Sequence, residues 1–303
     1  MIESVGLTKR FDDVIAVDHI SAEIREASVF GLVGTNGAGK STFLRLAAGI
    51  LKPDEGCVRI DGEEVYENPG IKQSFFYIPD DQYFFSNVTP IEMMVFFSHI
   101  YPTFDTARFQ KLLTAFELPS GRKINTFSKG MKKQLSILLG ISSGTKYLFC
   151  DETFDGLDPV MRQAVKSLFA NDISERGLTP VITSHNLREL EDICDHVGLL
   201  HKGGILFSKD LEDMKLGIHK LQCVLRPEQD ISGLNHALEG FEVLRDEQRG
   251  SIHTLTIRGG APGILTKMEA LDPLFFELVP LSLEEIFISE TEVTGYDVRK
   301  LIF

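Results

Sequence analysis

The sequence predicts an α/β fold: a mostly parallel core sheet, an antiparallel strand-rich segment before it, and a small α+β domain after it. Three observations carry this. Short apolar runs alternate with longer helical patterns, as buried parallel strands alternate with their crossover helices. One such run ends in a glycine-rich loop that opens directly into a helix. Beyond about residue 216 the pattern becomes half-buried alternation, punctuated by Gly-Gly, Pro-Glu and Asp-Pro turn pairs.

The elements follow in order. Residues 28–33 form an apolar run that stops at Gly34, and 42–50 read as a helix. Residues 147–150 and 180–184 are two further buried strands. Helical patterns over 159–175, with Pro159 in a first turn, and over 186–194 follow them. Lys202-Gly203-Gly204 between two apolar runs is a hairpin signal. In the C-terminal part, 221–226 and 253–258 alternate like strands while 235–239 and 263–271 look helical, an arrangement of βαββα type. The expected domains are 1–216 and 217–303.

Composition narrows the function classes. With 303 residues, 43% apolar and 25% charged, the chain is an ordinary globular protein with enough core for one large domain or two smaller ones. Its formal net charge of −13 repels phosphate backbones and anionic lipid, so no nucleic acid is expected as partner. No run approaches the roughly 20 apolar residues of a membrane span. The start, Met1-Ile2-Glu3-Ser4, has no basic and apolar signal pattern. No direct membrane insertion is expected, and any membrane role comes through a partner. Cys57, Cys150, Cys194 and Cys223 form no C-x-x-C pair, which fits reduced thiols in a cytoplasmic chain.

Gly34-Thr35-Asn36-Gly37-Ala38-Gly39-Lys40-Ser41 matches G-x-x-x-x-G-K-[ST], with Thr42 continuing into the helix. Glycines let backbone N–H groups wrap a phosphate, and the helix start adds its positive dipole end. Lys40 can reach β- and γ-phosphates, and the Ser41 hydroxyl can ligate magnesium. This loop is expected to bind a nucleoside triphosphate. Tyr147-Leu148-Phe149-Cys150-Asp151-Glu152 carries a strand through the core and delivers two carboxylates at the sheet edge where ligands sit. Asp151 suits the magnesium shell, and Glu152 is the candidate to polarise an attacking water. Ser184-His185 ends a neighbouring strand, from which the imidazole can reach the γ-phosphate.

With Phe127-Ser128-Lys129-Gly130-Met131-Lys132-Lys133-Gln134 between them, these pieces resemble the nucleotide-binding subunit of ATP-binding cassette (ABC) transporters. The octet looks like the family signature L-S-G-G-Q in its S-K-G-M form, with Lys129 at the first glycine position. The resemblance implies a P-loop NTPase of ABC type, with an antiparallel N-terminal β-subdomain and a helical subdomain. It implies ATP and Mg2+ as the bound species and ATP hydrolysis as the activity. Ser128, Lys129, Gly130 and Met131 would complete the ATP site of a second cassette in a head-to-tail homodimer or heterodimer.

Further residues follow the family's order. Asp155-Gly156-Leu157-Asp158-Pro159 resembles the segment that crosses the dimer interface, Asp158 being its key acid. Thr153 stands where the family usually has proline. His185 takes the switch-histidine position, and Phe11 that of the aromatic stacked on adenine, with Val17 nearby; Phe11 reads equally as a core residue. In Tyr77-Ile78-Pro79-Asp80-Asp81-Gln82 the family's glutamine position holds Asp80, a candidate for the metal shell, and the choice between Asp80 and Gln82 stays open. The aromatic and Met-rich stretch 83–104 divides between helical core and a docking surface for a transmembrane permease. Pro280-Leu281-Ser282-Leu283-Glu284-Glu285-Ile286-Phe287-Ile288 looks like the terminal helix of ABC-2-type cassette proteins, which implies a separate permease, usually an exporter. The expected location is cytoplasmic, peripheral on the inner face of the membrane through that permease. The alternative, a cassette ATPase acting on nucleic acid or ribosomes, lacks its coiled-coil insertion, second cassette or basic arms. A P-loop GTPase would carry N-K-x-D, which is absent, and a P-loop kinase has no use for Ser128-Lys129-Gly130.

Overall fold

A computed structural model describes residues 1–154 and 156–293. The chain divides into two compact units, the first ending at Ser208 and the second beginning at Lys209.

In the first unit, β1 (Ile2–Phe11) and β2 (Val14–Ile24) pair antiparallel. β3 (Phe30–Val33) runs into the glycine loop and α1 (Lys40–Ala47) leaves it. The helix ends earlier than the sequence suggests because Gly49 turns into the left-handed region at φ 58°. β4 (Glu55–Ile60), β5 (Glu63–Glu64), α2 (Pro69–Lys72) and β6 (Phe75–Ile78) follow. Next come α3 (Pro90–Ile100), α4 (Thr106–Ala115) and α5 (Lys129–Ser142), which pack on one another as a helical cluster. β7 (Tyr147–Asp151), α6 (Pro159–Arg176), β8 (Thr179–Ser184), α7 (Leu187–Glu191), β9 (His196–His201) and β10 (Gly204–Asp210) complete the sequence of elements. α7 stops short of the expected 194 because the Asp195 N–H donates to the Val29 carbonyl (3.0 Å), drawing the chain into β9.

Two sheets result. The antiparallel one has the order β2-β1-β4-β5. The other, β10-β9-β3-β8-β7-β6, is parallel from β9 through to β6. β10 returns through Lys202 and Gly203, whose positive φ angles (45° and 84°) are those a tight hairpin favours. α1 lies between the sheets. Phe43, Leu44 and Ala47 share one buried cluster with Leu7, Val17 and Ile20 on one side and Phe30, Tyr147 and Phe149 on the other. Burying a helix on two faces fixes its N-terminus against the sheet edge, so the glycine loop has a rigid frame.

The second unit contains α8 (Leu211–Gly217), β11 (Ile218–Val224), α9 (Ile231–Ala237), β12 (Glu242–Arg249), β13 (Ile252–Arg258), α10 (Ala261–Leu271), β14 (Phe275–Val279) and α11 (Leu283–Val293). Its antiparallel sheet has the order β12-β13-β11-β14, the split βαβ arrangement, with a last strand beyond the expected βαββα. Leu221, Cys223, Leu255 and Ile257 meet Leu234, Leu238, Ile264 and Met268 in a separate core. α11 starts at a capping box: Ser282 Oγ accepts from the Glu285 N–H (3.2 Å), and Glu285 accepts from the Ser282 N–H (3.0 Å). Among the described residues no helix is long and apolar enough to cross a membrane.

Candidate active site

The glycine loop wraps because two of its glycines adopt left-handed φ, 80° at Gly37 and 105° at Gly39. A Cβ at Gly39 would stand 2.1 Å from the Ala16 carbonyl oxygen, so only glycine fits. α1 has no side-chain cap, which leaves its first N–H groups for a ligand. The Ala38 N–H closes the loop on the Thr35 carbonyl at 3.0 Å. Lys40 is nearly buried and folds back: its Nζ donates to the carbonyls of Gly34 (2.7 Å) and Thr35 (3.2 Å) and lies 3.1 Å from Glu152 Oε1.

Parallel register assembles the carboxylates. Asp151 pairs with Thr183 across β7 and β8, and Phe149 pairs with Tyr77 across β7 and β6. The fully buried Asp151 therefore accepts hydrogen bonds from Thr183 Oγ1 (2.8 Å), Tyr77 OH (3.2 Å) and Ser41 Oγ (2.9 Å). Burial and the Asp151 carboxylate push the Tyr77 phenol well above its usual range, so it remains a proton donor.

Glu152 leaves the strand at φ 47°, a left-handed conformation rare outside glycine. Its N–H donates to Thr183 Oγ1 (3.0 Å). This bend turns its carboxylate back over the loop, where Oε2 meets His185 Nδ1 at 2.7 Å while Oε1 meets Lys40. Thr153, in the family's proline position, is fully buried and closes the turn through Oγ1 to the Asp151 carbonyl (3.3 Å).

A cavity of about 490 Å3 lies over these groups, lined by Asn36, Gly37, Gly39, Lys40, Ser41, Thr42, Asp80, Glu152 and His185, with Val14 and Ala16 on its flank. Asp80 faces this cavity. Gln82 lines a different one, where its amide donates to the Pro79 (3.0 Å) and Asp80 (2.8 Å) carbonyls of its own loop.

Other expected site residues lie elsewhere. Val17 is fully buried in the core beneath α1, because Val14 and Ala16 take the surface positions. Phe11 is 45% exposed with Lys9 Nζ over its ring, and is not among the cavity's described lining. Ser128 caps α5, its Oγ accepting from the Met131 N–H (3.2 Å); Ser128 and Lys129 are exposed outside the cavity, with Gly130 and Met131 half-buried. Asp158 caps α6 by accepting from the Met161 N–H (2.9 Å) and is also exposed, while Asp155 lies outside the described residues. Three participants were not readable as such from the sequence: Thr183, Tyr77 and Lys133. The first two follow from strand register. Lys133, on the buried face of α5, donates to the Glu152 carbonyl (2.7 Å) and pairs with Asp80 Oδ1 (3.3 Å).

Near Gln82 the surface is aromatic. Tyr83, Phe85 and Phe96 are exposed and stack edge to face, with ring centroids 6.3 Å and 4.9 Å apart, while Met93 and Met94 turn inward. Tyr83 also lines a groove of about 320 Å3 together with Phe84, Phe97 and Tyr101.

The family model for ABC transporters matches residues 17–155. The ABC transporter ATP-binding protein YtrB of Bacillus subtilis (strain 168) is 31% identical over 290 residues, 96% of this chain and 98% of the relative. The bacitracin transport ATP-binding protein BcrA of Bacillus licheniformis is 30% identical over 71% of each chain. A solved structure of the ATP binding subunit of an ABC transporter superposes with a TM-score of 0.66 at 25% identity, over 71% of this chain and 92% of that one. A phosphate loop facing paired carboxylates, and a relative similar along almost the whole length, lead to one conclusion: the chain belongs to the ABC transporter family, as one of its ATP-binding subunits.

Proposed function

We propose that this chain is the ATPase of an ABC-2-type exporter, paired head to tail with a second cassette and attached to a separate permease on the inner face of the membrane. One observation carries the reading: the Glu152 carboxylate is held between Lys40 and His185 at the rim of the phosphate loop. There it can accept a proton from a water aimed at the γ-phosphate. His185 donates from Nδ1 to Glu152, and in its doubly protonated form the ring also donates from Nε2 to a phosphate oxygen. Lys40 and the free N–H groups of α1 supply positive charge where the phosphates bind.

The donor set fits magnesium. Ser41 and Asp151 present hard oxygens 2.9 Å apart, without a crowd of further ligands among the described residues, as suits an ion that keeps phosphate and water in its shell. When bound, such an ion offsets the charge that builds between the β- and γ-phosphates. The exposed Ser128 and the half-buried Gly130 amide, at the start of α5, are suited to grip the γ-phosphate bound by the partner cassette. The aromatic patch of Tyr83, Phe85 and Phe96 is the candidate permease contact, being apolar and exposed. A transport role is supported by BcrA, whose name assigns it to bacitracin transport, and export by the likeness of Leu283-Glu284-Glu285-Ile286-Phe287 to the terminal helix of ABC-2-type cassettes.

Glu152→Gln tests the assignment. It should retain ATP binding, lose at least about 100-fold in turnover, and accumulate as an ATP-bound dimer by light scattering. Turnover near the wild-type rate would remove Glu152 from the role of base.

A further inference from the structure

α5 buries an apolar face containing Leu135, Leu138 and Leu139, and one ammonium group, that of Lys133, which is only 7% exposed. A lysine at such a depth is costly unless its charge is matched and its protons are used. Both conditions are met by groups of the reaction site. The Glu152 carbonyl accepts from Nζ at 2.7 Å, and Asp80 Oδ1 lies 3.3 Å away. Glu152 needs such support. Its left-handed backbone is strained and persists only where the surroundings hold it. Thr183 holds the residue's N–H and Lys133 holds its carbonyl, so the two clamp the peptides on either side of the Glu152 Cα, which aims the carboxylate.

We propose that Lys133 is a positioning residue for hydrolysis, fixing the backbone of Glu152 and tying it to the Asp80 segment through an ion pair. The family's usual residue at position 80 is a neutral glutamine. Here a carboxylate stands there, and an ammonium from a helix 53 residues further on complements it. Asp80 is mostly exposed at the head of the loop that carries Gln82, Tyr83 and Phe85. A shift of that loop draws on Lys133, and Lys133 draws on the Glu152 peptide. The aim of the base thus responds to the loop through a single side chain.

The inference rests on Glu152 acting as the base, so the test carries Glu152→Gln as a reference beside Lys133→Met, Asp80→Asn and their double variant. Steady-state ATP hydrolysis, binding of a fluorescent ATP analogue and a magnesium titration are measured on the full chain. Lys133→Met should lower kcat about tenfold with KM for ATP within about twofold, the loss of one charge-assisted hydrogen bond. Asp80→Asn should lower kcat about threefold at an unchanged magnesium midpoint, and the double variant should be no slower than Lys133→Met alone. Wild-type kcat in Lys133→Met, or single effects that multiply in the double variant, overturns the proposal. If Lys133→Met fails to fold, Asp80→Asn decides alone: a shifted magnesium midpoint, or an unaltered kcat, overturns the tie. An active Glu152→Gln defeats the underlying reading instead, whereas an inactive Glu152→Gln beside a fully active Lys133→Met defeats only the role of Lys133.

Discussion

Gly37 and Gly39 share a loop and a left-handed backbone, yet they are glycine for different reasons. At Gly37 an added Cβ would meet nothing within 4 Å, so only the torsion resists a side chain. At Gly39 the Ala16 carbonyl stands 2.1 Å from the same atom, and β2 would have to move. Gly37→Ala should therefore cost about 1–2 kcal/mol, and Gly39→Ala a further ~1–3 kcal/mol. Thermal unfolding without nucleotide separates the two, and equal losses would mean that the approach to Ala16 is not a constraint. Glu152 shows the same economy of backbone in reverse: a residue that prefers φ < 0 is held at φ 47° because Thr183 and Lys133 secure both ends of it.

At the scale of elements, legibility in the sequence tracks how local the cause is. β3, β7 and β8 are fully buried strands, so their apolar runs announced them, and the glycine loop sits at the end of one. The helix limits and β14 were less legible. α1 ends at a glycine whose torsion no periodicity reveals, and β14 is an edge strand with an irregular, partly exposed pattern. Asp151 and Glu152 could be named from their motif, but Thr183 and Tyr77 enter only through register. Lys133 enters only through a contact between distant segments. The same holds for the junction of α4 and α6. Asp172 is fully buried on α6 and accepts from Arg108 of α4 and from Arg176 one turn on (2.8 Å), while Arg176 also reaches the Ile141 carbonyl at the end of α5 (3.4 Å). Asp172→Ala removes the carboxylate from two guanidinium groups at once, although Arg176 keeps its carbonyl partners. The expected loss is about 3 kcal/mol, at the low end for a broken buried pair because the arginines keep 28% and 23% exposure. Urea unfolding measures it, and a loss below about 1 kcal/mol would rank the trio with surface pairs.

Among the described residues, two of the molecule's buried clusters share no residue. The larger runs from Ile2 to Leu200 and includes α1 and both sheets of the first unit; the smaller runs from Leu221 to Met268 around the second unit's own sheet. The sequence places the change of character near residue 216, and the units divide at Ser208. α8 accounts for the difference: it packs on β11 and buries Leu211 and Met214. Every described residue that lines the nucleotide cavity precedes Asn186, so the first unit supplies that lining. A fragment ending at Asp210, which keeps β10 whole at the sheet edge, should fold and bind ATP with a Kd within about threefold of the full chain. Calorimetry of the full chain should resolve two transitions, because each core can melt without dissolving the other, and ATP with magnesium should raise only the one that the fragment reproduces. A single transition that ATP moves intact, together with an unfolded fragment, would show that the second unit completes the first.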